Sequence, residues 1–416
     1  MSDRQRKLQD MIIVPESAIA DILTRADAFN AVEQVFAAMS AGDAYNFPVI
    51  REAIGHEEAL YGFKGGFDGK GMALGLKAGG YWPHNLERRG LINHQSTVFL
   101  FDPDTGKVAA MVGGNLLTAL RTAAASSVSI KHLARKDAKV MGMIGAGHQA
   151  KFQLRAALET HQFEKVIGWN YHPEMLPGLA EVAEQAGVPF EVVELDGMVE
   201  ADVVISITSV FSPIFGAAHI SPGTHVACMG TDTIGKQECE VDLVAKATVF
   251  TDEIAQSITL GEAQHAIKAA AKAKEDITEI GAVINGKHPG RASNDEITLI
   301  GGAPIHQSIS FGRIRFSAIA MMAVGATADV ASVLITPGRY CTAVGTRFSP
   351  SPKANDTAMM IIVRRVIFSS ASTFSPAAAT MPNITITPPP STGKGIAAIT
   401  APILGTNPQT IMMIPA

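Results

Sequence analysis

The apolar positions change period several times along the chain, and each change predicts an element. Residues 11–14 (MIIV) form a short apolar run, read as a strand. Beyond it, to residue 40, the spacing becomes helical, with Ala28, Val32, Phe36 and Met39 on one stripe. Residues 45–67 predict short strands broken by turns, and residues 72–83 (MALGLKAGGYWP) a strand ending in a glycine-rich loop. Residues 96–112 read as a hairpin, two apolar strands around Asp102-Pro103-Asp104-Thr105-Gly106. An alanine-rich helix, LLTALRTAAASSVSIKHLA, follows.

From 139 to 252 the pattern is regular. Apolar strands recur at 139–144, 165–170, 190–194, 202–207, 225–229 and 248–251, and the first connections are helical in period. This βαβ alternation predicts an α/β fold with a mainly parallel, doubly wound sheet. Its first strand runs into Gly145-Ala146-Gly147-His148-Gln149-Ala150 before helical spacing begins. A strand, a glycine turn and a helix N-terminus in that order let backbone N–H groups face a pyrophosphate. Gly145 permits the turn, Gly147 leaves the phosphates room, and Ala150 lets helix and strand pack closely. Alone, the spacing also fits a flavodoxin-like or purely structural turn; the alternation around it selects a dinucleotide.

The end of the second strand (Ile167-Gly168-Trp169-Asn170-Tyr171-His172) bears on which dinucleotide. It has neither an acid for the ribose hydroxyls nor an arginine for a 2′-phosphate, and Asn170 is the candidate for the ribose. NAD is preferred to NADP.

Composition narrows the class. A chain of 416 residues is long enough for two domains, and a net charge of −5 gives no reason to expect nucleic acid as partner. Cys228, Cys239 and Cys341 lack metal-site spacing and read as buried thiols in a reducing compartment. The N-terminal stretch lacks the apolar segment of a signal peptide, and no long charge-free apolar run suggests a membrane span. A cytoplasmic enzyme without a metal is the expectation.

Several side chains are candidates for chemistry. Arg51 follows the apolar FPVI, Lys77 sits at the end of an apolar strand beside Gly79-Gly80, and Arg121 interrupts the alanine-rich helix. A guanidinium holds a carboxylate bidentately, and a lysine supplies a hydrogen bond or proton beside an imine. Each also reads as an ordinary exposed charge, but a charge inside a small-residue helix needs a partner, which favours Arg121. Asp232 follows the fifth strand, beyond whose carboxyl end ligands lie, and faces either a substrate ammonium or iminium, or the next turn as a cap. His94 reads as a substrate contact or a structural histidine. His148 is placed to line the phosphates, while His219 and His225 read as structural.

These residues lie in segments that resemble the ornithine cyclodeaminase and mu-crystallin family. The segments are GLKAGGYWPHN, STVFLFDPDTGKVAAMVGGNLLTALRTAAASSV, MGMIGAGHQAKFQLRAAL, HVACMGTDTIGKQECEVD, VFTDEIAQSITLGE and ITEIGAVINGKHPGR. The resemblance implies a Rossmann domain (131–299) joined to a smaller α+β substrate and dimerisation domain (1–130), assembled as a homodimer. It also implies that a bound nicotinamide exchanges hydride with the α-carbon of an amino or imino acid. Arg51 and Arg121 would then bind the substrate carboxylate, Lys77 would lie beside the reacting nitrogen or carboxylate, and Asp232 would bind or deprotonate the amine. Gly145, Ala146, Gly147, His148 and Gln149 would form the cofactor loop, with Asn170 and Thr208 completing the cofactor contacts. The wording of Lys77–Pro83 and Asn93–Thr97 looks most like the iminosuccinate-reductase branch, and Asn93, His94 and Gln95 are candidates to meet a second carboxylate. Ornithine cyclodeamination and non-catalytic NAD(P)H binding, as in the crystallins, stand as alternatives.

After Leu299 the family pattern stops. From there the chain reads IGGAPIHQSISFGRIRFSAIAMMAV, and from 366 onward Ser, Thr, Pro, Ala and Ile dominate. Residues 300–416 are therefore read as an atypical tail, the product of a frameshift, lacking the helix that relatives use to close the two-domain core. A poorly ordered extension and a membrane-associating segment are the alternatives.

Overall fold

A computed structural model of the chain describes residues 11–301 and three strands further on, Thr385–Thr387, Ala398–Thr400 and Ile411–Met412. The last three pair antiparallel in a sheet within a unit of their own, and the two larger sheets belong to the other unit. The expected frameshift tail falls almost entirely outside the described residues.

The first sheet holds β1 (Ile12–Val14), β2 (Ala44–Asn46), β3 (Ile50–Ala53), β4 (Leu60–Asp68), β5 (Ala73–Tyr81), β6 (His94–Phe101) and β7 (Val108–Gly113). Its order is β1-β7-β6-β5-β4-β2, with β3 also paired to β4; only the β1–β7 pairing is parallel. The glycines of Lys77-Ala78-Gly79-Gly80 lie inside β5 rather than in a loop after it. A Cβ on Gly79 would stand 2.5 Å from the Cβ of Ser96, and one on Gly80 2.1 Å from the Leu60 carbonyl oxygen. Glycine here allows neighbouring strands to approach, so pairing continues to Tyr81 and Lys77 sits in mid-strand.

Alternation gives this sheet two unlike faces. Val14, Val98, Leu100, Ala110 and Val112 share one face and are buried with Ala28, Val32, Phe36, Leu117 and Leu120 of two helices, Arg25–Ala41 and Asn115–Leu133. The first helix starts on a capping box between Thr24 and Asp27 and ends at Gly42, whose φ is +80°. The same inner face carries Arg51, Lys64, Lys77 and His94, because Arg51 pairs with Gly62, Lys64 with Lys77, and Tyr81 with His94. One end of the face is thus core, the other cationic. The outer face presents Ile13, Tyr45, Ile50 and Phe63, all exposed.

The second sheet is wholly parallel. It contains β8 (Val140–Ile144), β9 (Lys165–Trp169), β10 (Phe190–Val192), β11 (Val203–Ser206), β12 (His225–Cys228), β13 (Thr248–Thr251), β14 (Ile277–Glu279) and β15 (Thr298–Ile300), in the order β10-β9-β8-β11-β12-β15-β13-β14. The six expected strands are all present. β14 and β15 were not among the expected strands, yet β15 is interior, between β12 and β13. His225 is buried within β12, its ring nitrogens 2.9 Å from Ser129 Oγ and 2.9 Å from Thr298 Oγ1. Burial, with Arg291 adding to it, pushes this histidine down to about 3, so it is a neutral structural group.

The two sheets share a helical interface. Helix Asn115–Leu133 packs on helix His148–Thr160, and Ile280–Ile284 packs on Arg25–Ala41. Among the described residues no helix is long and apolar enough to cross a membrane.

Candidate active site

The chain leaves β8 for β9 and β10 on one side, then returns to β11 on the other. Where strand order reverses, a crevice opens beyond the carboxyl ends of β8 and β11. Gly145 and Thr208 meet there: a Cβ on Gly145 would lie 2.7 Å from the Ile207 carbonyl oxygen and 3.0 Å from Thr208 Cγ2. Gly145 has φ +102°, while a Cβ on Gly147 would meet nothing within 4 Å. The turn is therefore tight on its sheet side and open on its crevice side, at the N-terminus of the 13-residue helix His148–Thr160. Such an N-terminus suits a pyrophosphate. Gln149 adds a buried carboxamide oxygen without a hydrogen-bond partner among the described residues. His148 is exposed at the mouth of the turn, its ring 5.4 Å from that of Phe152, and partial desolvation and Lys151 lower its pKa. Asn170, just past β9, donates from Nδ2 to the His172 carbonyl at 2.7 Å. The residues present fit a dinucleotide.

Beside this crevice runs the loop from Met229 to Glu238, fixed by two buried carboxyl groups. Glu238 accepts hydrogen bonds from Ser206 Oγ (2.6 Å), Thr208 N (2.8 Å), Thr208 Oγ1 (2.9 Å) and Gly230 N (2.6 Å). Glu262 accepts from the backbone N–H groups of Glu238 (2.9 Å) and Cys239 (2.8 Å) and from the Thr231 hydroxyl. Burial raises both, Glu262 to about 7. Thr208 spends its N–H and hydroxyl on Glu238 and turns Cγ2 towards Gly145.

That loop presents Asp232 to the cationic end of the first sheet. Asp232 pairs with Arg51 Nη1 at 2.5 Å and Lys236 Nζ at 2.7 Å. Burial works to raise its pKa, but Lys236, Arg51 and Lys64 outweigh burial and hold it well below the usual carboxylate range. The Arg51–Asp232 pair ties the first sheet to the second.

Lys77 lies 3.2 Å from His94 Nε2. Burial first, then Arg121 and Lys64, push Lys77 well below the ordinary lysine value. Burial, Lys77 and Arg121 push His94 down to about 2, so its ring is neutral beside Lys77. Arg121 is 5% exposed. Thr118, one turn earlier on its helix face, touches Ser96 Oγ at 3.4 Å, which sets Arg121 over the same end of the sheet. Burial lowers Arg121 to about 10, against Asp232 and Asp252. Asp252, at the end of β13, is itself raised to about 7 by burial and by Glu253.

Arg51, Lys77, His94, Arg121 and Asp232 are thus brought together, and the glycine turn and Asn170 stand at the carboxyl ends of β8 and β9. Sequence reasoning missed Lys64, Lys236 and Asp252. Lys64 had the signal that marked Lys77, a lone cation in a glycine- and aromatic-rich strand (YGFKGGF); Lys236 lay inside GTDTIGKQE.

The model of the ornithine cyclodeaminase/mu-crystallin family matches residues 10–307. The chain belongs to this family. It is 62% identical over 296 residues to the iminosuccinate reductase of Paracoccus denitrificans, covering 71% of this chain and 92% of that protein. The crystal structure of the iminosuccinate reductase of Paracoccus denitrificans with NAD+ superimposes with a TM-score of 0.72 at 58% identity, over 76% of this chain and 98% of that one. An archaeal alanine dehydrogenase dimer with bound NAD gives a TM-score of 0.70 at 26% identity, over 77% of this chain and 99% of that one. The family match ends at residue 307, near where the sequence departs from the pattern.

Proposed function

We propose that the protein is an NAD(H)-dependent reductase of a small α-imino acid, with iminosuccinate as substrate and L-aspartate as product. The observation that carries this reading is the cluster of Arg51, Lys77, Arg121 and Asp232 beside a glycine turn built for a dinucleotide. The 62% identity to an iminosuccinate reductase supports the substrate, and NAD in two similar structures supports the cofactor.

Gly145, Ala146, Gly147, His148 and Gln149 hold the pyrophosphate and its surroundings, Asn170 meets the ribose, and Thr208 lines the crevice. Bound NADH supplies a hydride for the imine carbon. Arg51 and Arg121 grip the α-carboxylate, which sets the orientation of that carbon. Asp232 stays ionised and stabilises positive charge on the imine nitrogen, as an acceptor rather than a proton donor. Lys77 is suited to the proton: burial and its cationic neighbours make its ammonium unusually acidic, and neutral His94 orients it. The nitrogen gains a proton as the carbon gains hydride, and a primary amine results.

Residues 1–130 serve as substrate and dimerisation domain, 131–299 as cofactor domain. A homodimer forms through the apolar outer face at Ile13, Tyr45, Ile50 and Phe63, in line with the dimeric alanine dehydrogenase. The free thiols of Cys228 and Cys239 suit a cytoplasmic location.

The test is NADH consumption by the purified chain with oxaloacetate plus ammonium, pyruvate plus ammonium, and L-ornithine with catalytic NAD. Reduction of the imines without proline formation is expected. Proline and ammonia from ornithine would replace the reading with cyclodeamination, and NADH binding without turnover would replace it with a carrier.

A further inference from the structure

The cationic end of the first sheet holds a lysine beyond those that an α-carboxylate and an imine nitrogen use. Lys64 stands directly opposite Lys77 in the β4–β5 register. Their side chains therefore leave the same face, with Cβ atoms about 4.5 to 5.5 Å apart. Like charges set opposite each other weaken a strand pair, so this placement opposes folding unless something else repays it. The positions flanking the two lysines on this face are Gly62, Gly66, Gly75 and Gly79, none of which carries a side chain. Arg51, Lys77, Arg121 and Lys236 all act electrostatically on Lys64, as does Asp232. Five cations, Arg51, Lys64, Lys77, Arg121 and Lys236, thus act on Asp232, and a single α-carboxylate leaves positive charge in excess. A second carboxylate on the same ligand reduces it.

We infer that Lys64 anchors the side-chain carboxylate of the substrate and so selects dicarboxylic over monocarboxylic imino acids. With the α-carboxylate between the arginines and the nitrogen at Lys77, Lys64 lies one strand to the side, about 5 Å away. The ligand's side chain must cross that interval. This inference rests on the imino-acid reductase reading and adds to it the residue that reads the side chain.

The experiment compares the full-length wild type with Lys64→Met and Lys64→Arg, using NADH with oxaloacetate plus ammonium or pyruvate plus ammonium. Loss of a hydrogen bond between charged groups predicts that Lys64→Met lowers the ratio of kcat/KM, dicarboxylic over monocarboxylic, by about 10- to 100-fold. Lys64→Arg restores most of it. A ratio within about threefold of wild type in Lys64→Met overturns the inference, as does an equal loss on both substrates. If Lys64→Met fails to fold, the wild type decides: succinate must inhibit at least about tenfold more tightly than propionate, and equal inhibition overturns the inference. Wild type that reduces neither imine defeats the reductase reading, and this inference with it. Turnover with an unmoved ratio defeats the inference alone.

Discussion

Replacing Asp232 by asparagine removes the one carboxylate that the site holds firmly ionised and leaves its cations without their shared partner. Asp232 makes two ion pairs, to Arg51 at 2.5 Å and to Lys236 at 2.7 Å. Breaking a fully buried pair costs about 3 to 5 kcal/mol, and breaking an exposed one about 1 or less. The side chains retain 20% (Asp232), 23% (Arg51) and 14% (Lys236) of their exposure, which places the site nearer the buried limit. Scaled between those limits, Asp232→Asn lowers stability by about 2 to 3 kcal/mol at pH 7. The sign of its pH dependence follows from the depressed pKa of Asp232 in the folded chain. A depressed carboxyl contributes stability that is complete above its unfolded pKa of about 4 and is lost as pH falls towards the folded value. Between pH 5 and pH 3 the wild type should therefore surrender about 1 kcal/mol of its advantage over the variant. Urea unfolding of both proteins, followed through the fluorescence of Trp82 and Trp169, measures this difference directly. A gap under about 0.5 kcal/mol at pH 7, or one that stays constant down to pH 3, would refute the reasoning.

Two further substitutions probe the other parts of the site. Arg121→Met should lower kcat/KM for imine reduction by about 100-fold or more, since a bidentate, charge-assisted contact is lost; steady-state kinetics that show less than a tenfold loss remove Arg121 from the carboxylate site. Gly145→Ala forces a side chain onto φ +102° and 2.7 Å from the Ile207 carbonyl oxygen, so the turn must move at a cost of about 1 to 3 kcal/mol. NADH affinity, read by fluorescence titration, should weaken about tenfold or more, and unchanged affinity would place the cofactor elsewhere.

What the sequence made legible follows from what periodicity and punctuation can carry. The glycine turn, the hairpin at Asp102–Gly106 and the six expected parallel strands all declared themselves through local apolar runs and turn residues. Arg121 stood out as a charge among alanines, and Asp232 by its place after β12. Lys64 carried the local signal of Lys77, but its meaning lies in register: pairing with Lys77 puts it on the inner face. Glu238 and Glu262 carried no signal of their own in sequence, whereas their hydrogen bonds fix the loop that carries Asp232. Gly79 and Gly80 looked like a loop because glycine marks both turns and close strand approach, and only the positions of Ser96 and Leu60 decide between them.

In the proposed reaction these side chains serve the transfer of a hydride to an imino acid. Its most direct test is to incubate the purified full-length chain with NADH, oxaloacetate and [15N]ammonium and to follow absorbance at about 340 nm alongside 15N-detected product. NADH loss should be matched one for one by 15N-labelled L-aspartate and abolished when ammonium is omitted. NADH loss that continues without ammonium, or L-malate in place of aspartate, would contradict the proposed reaction.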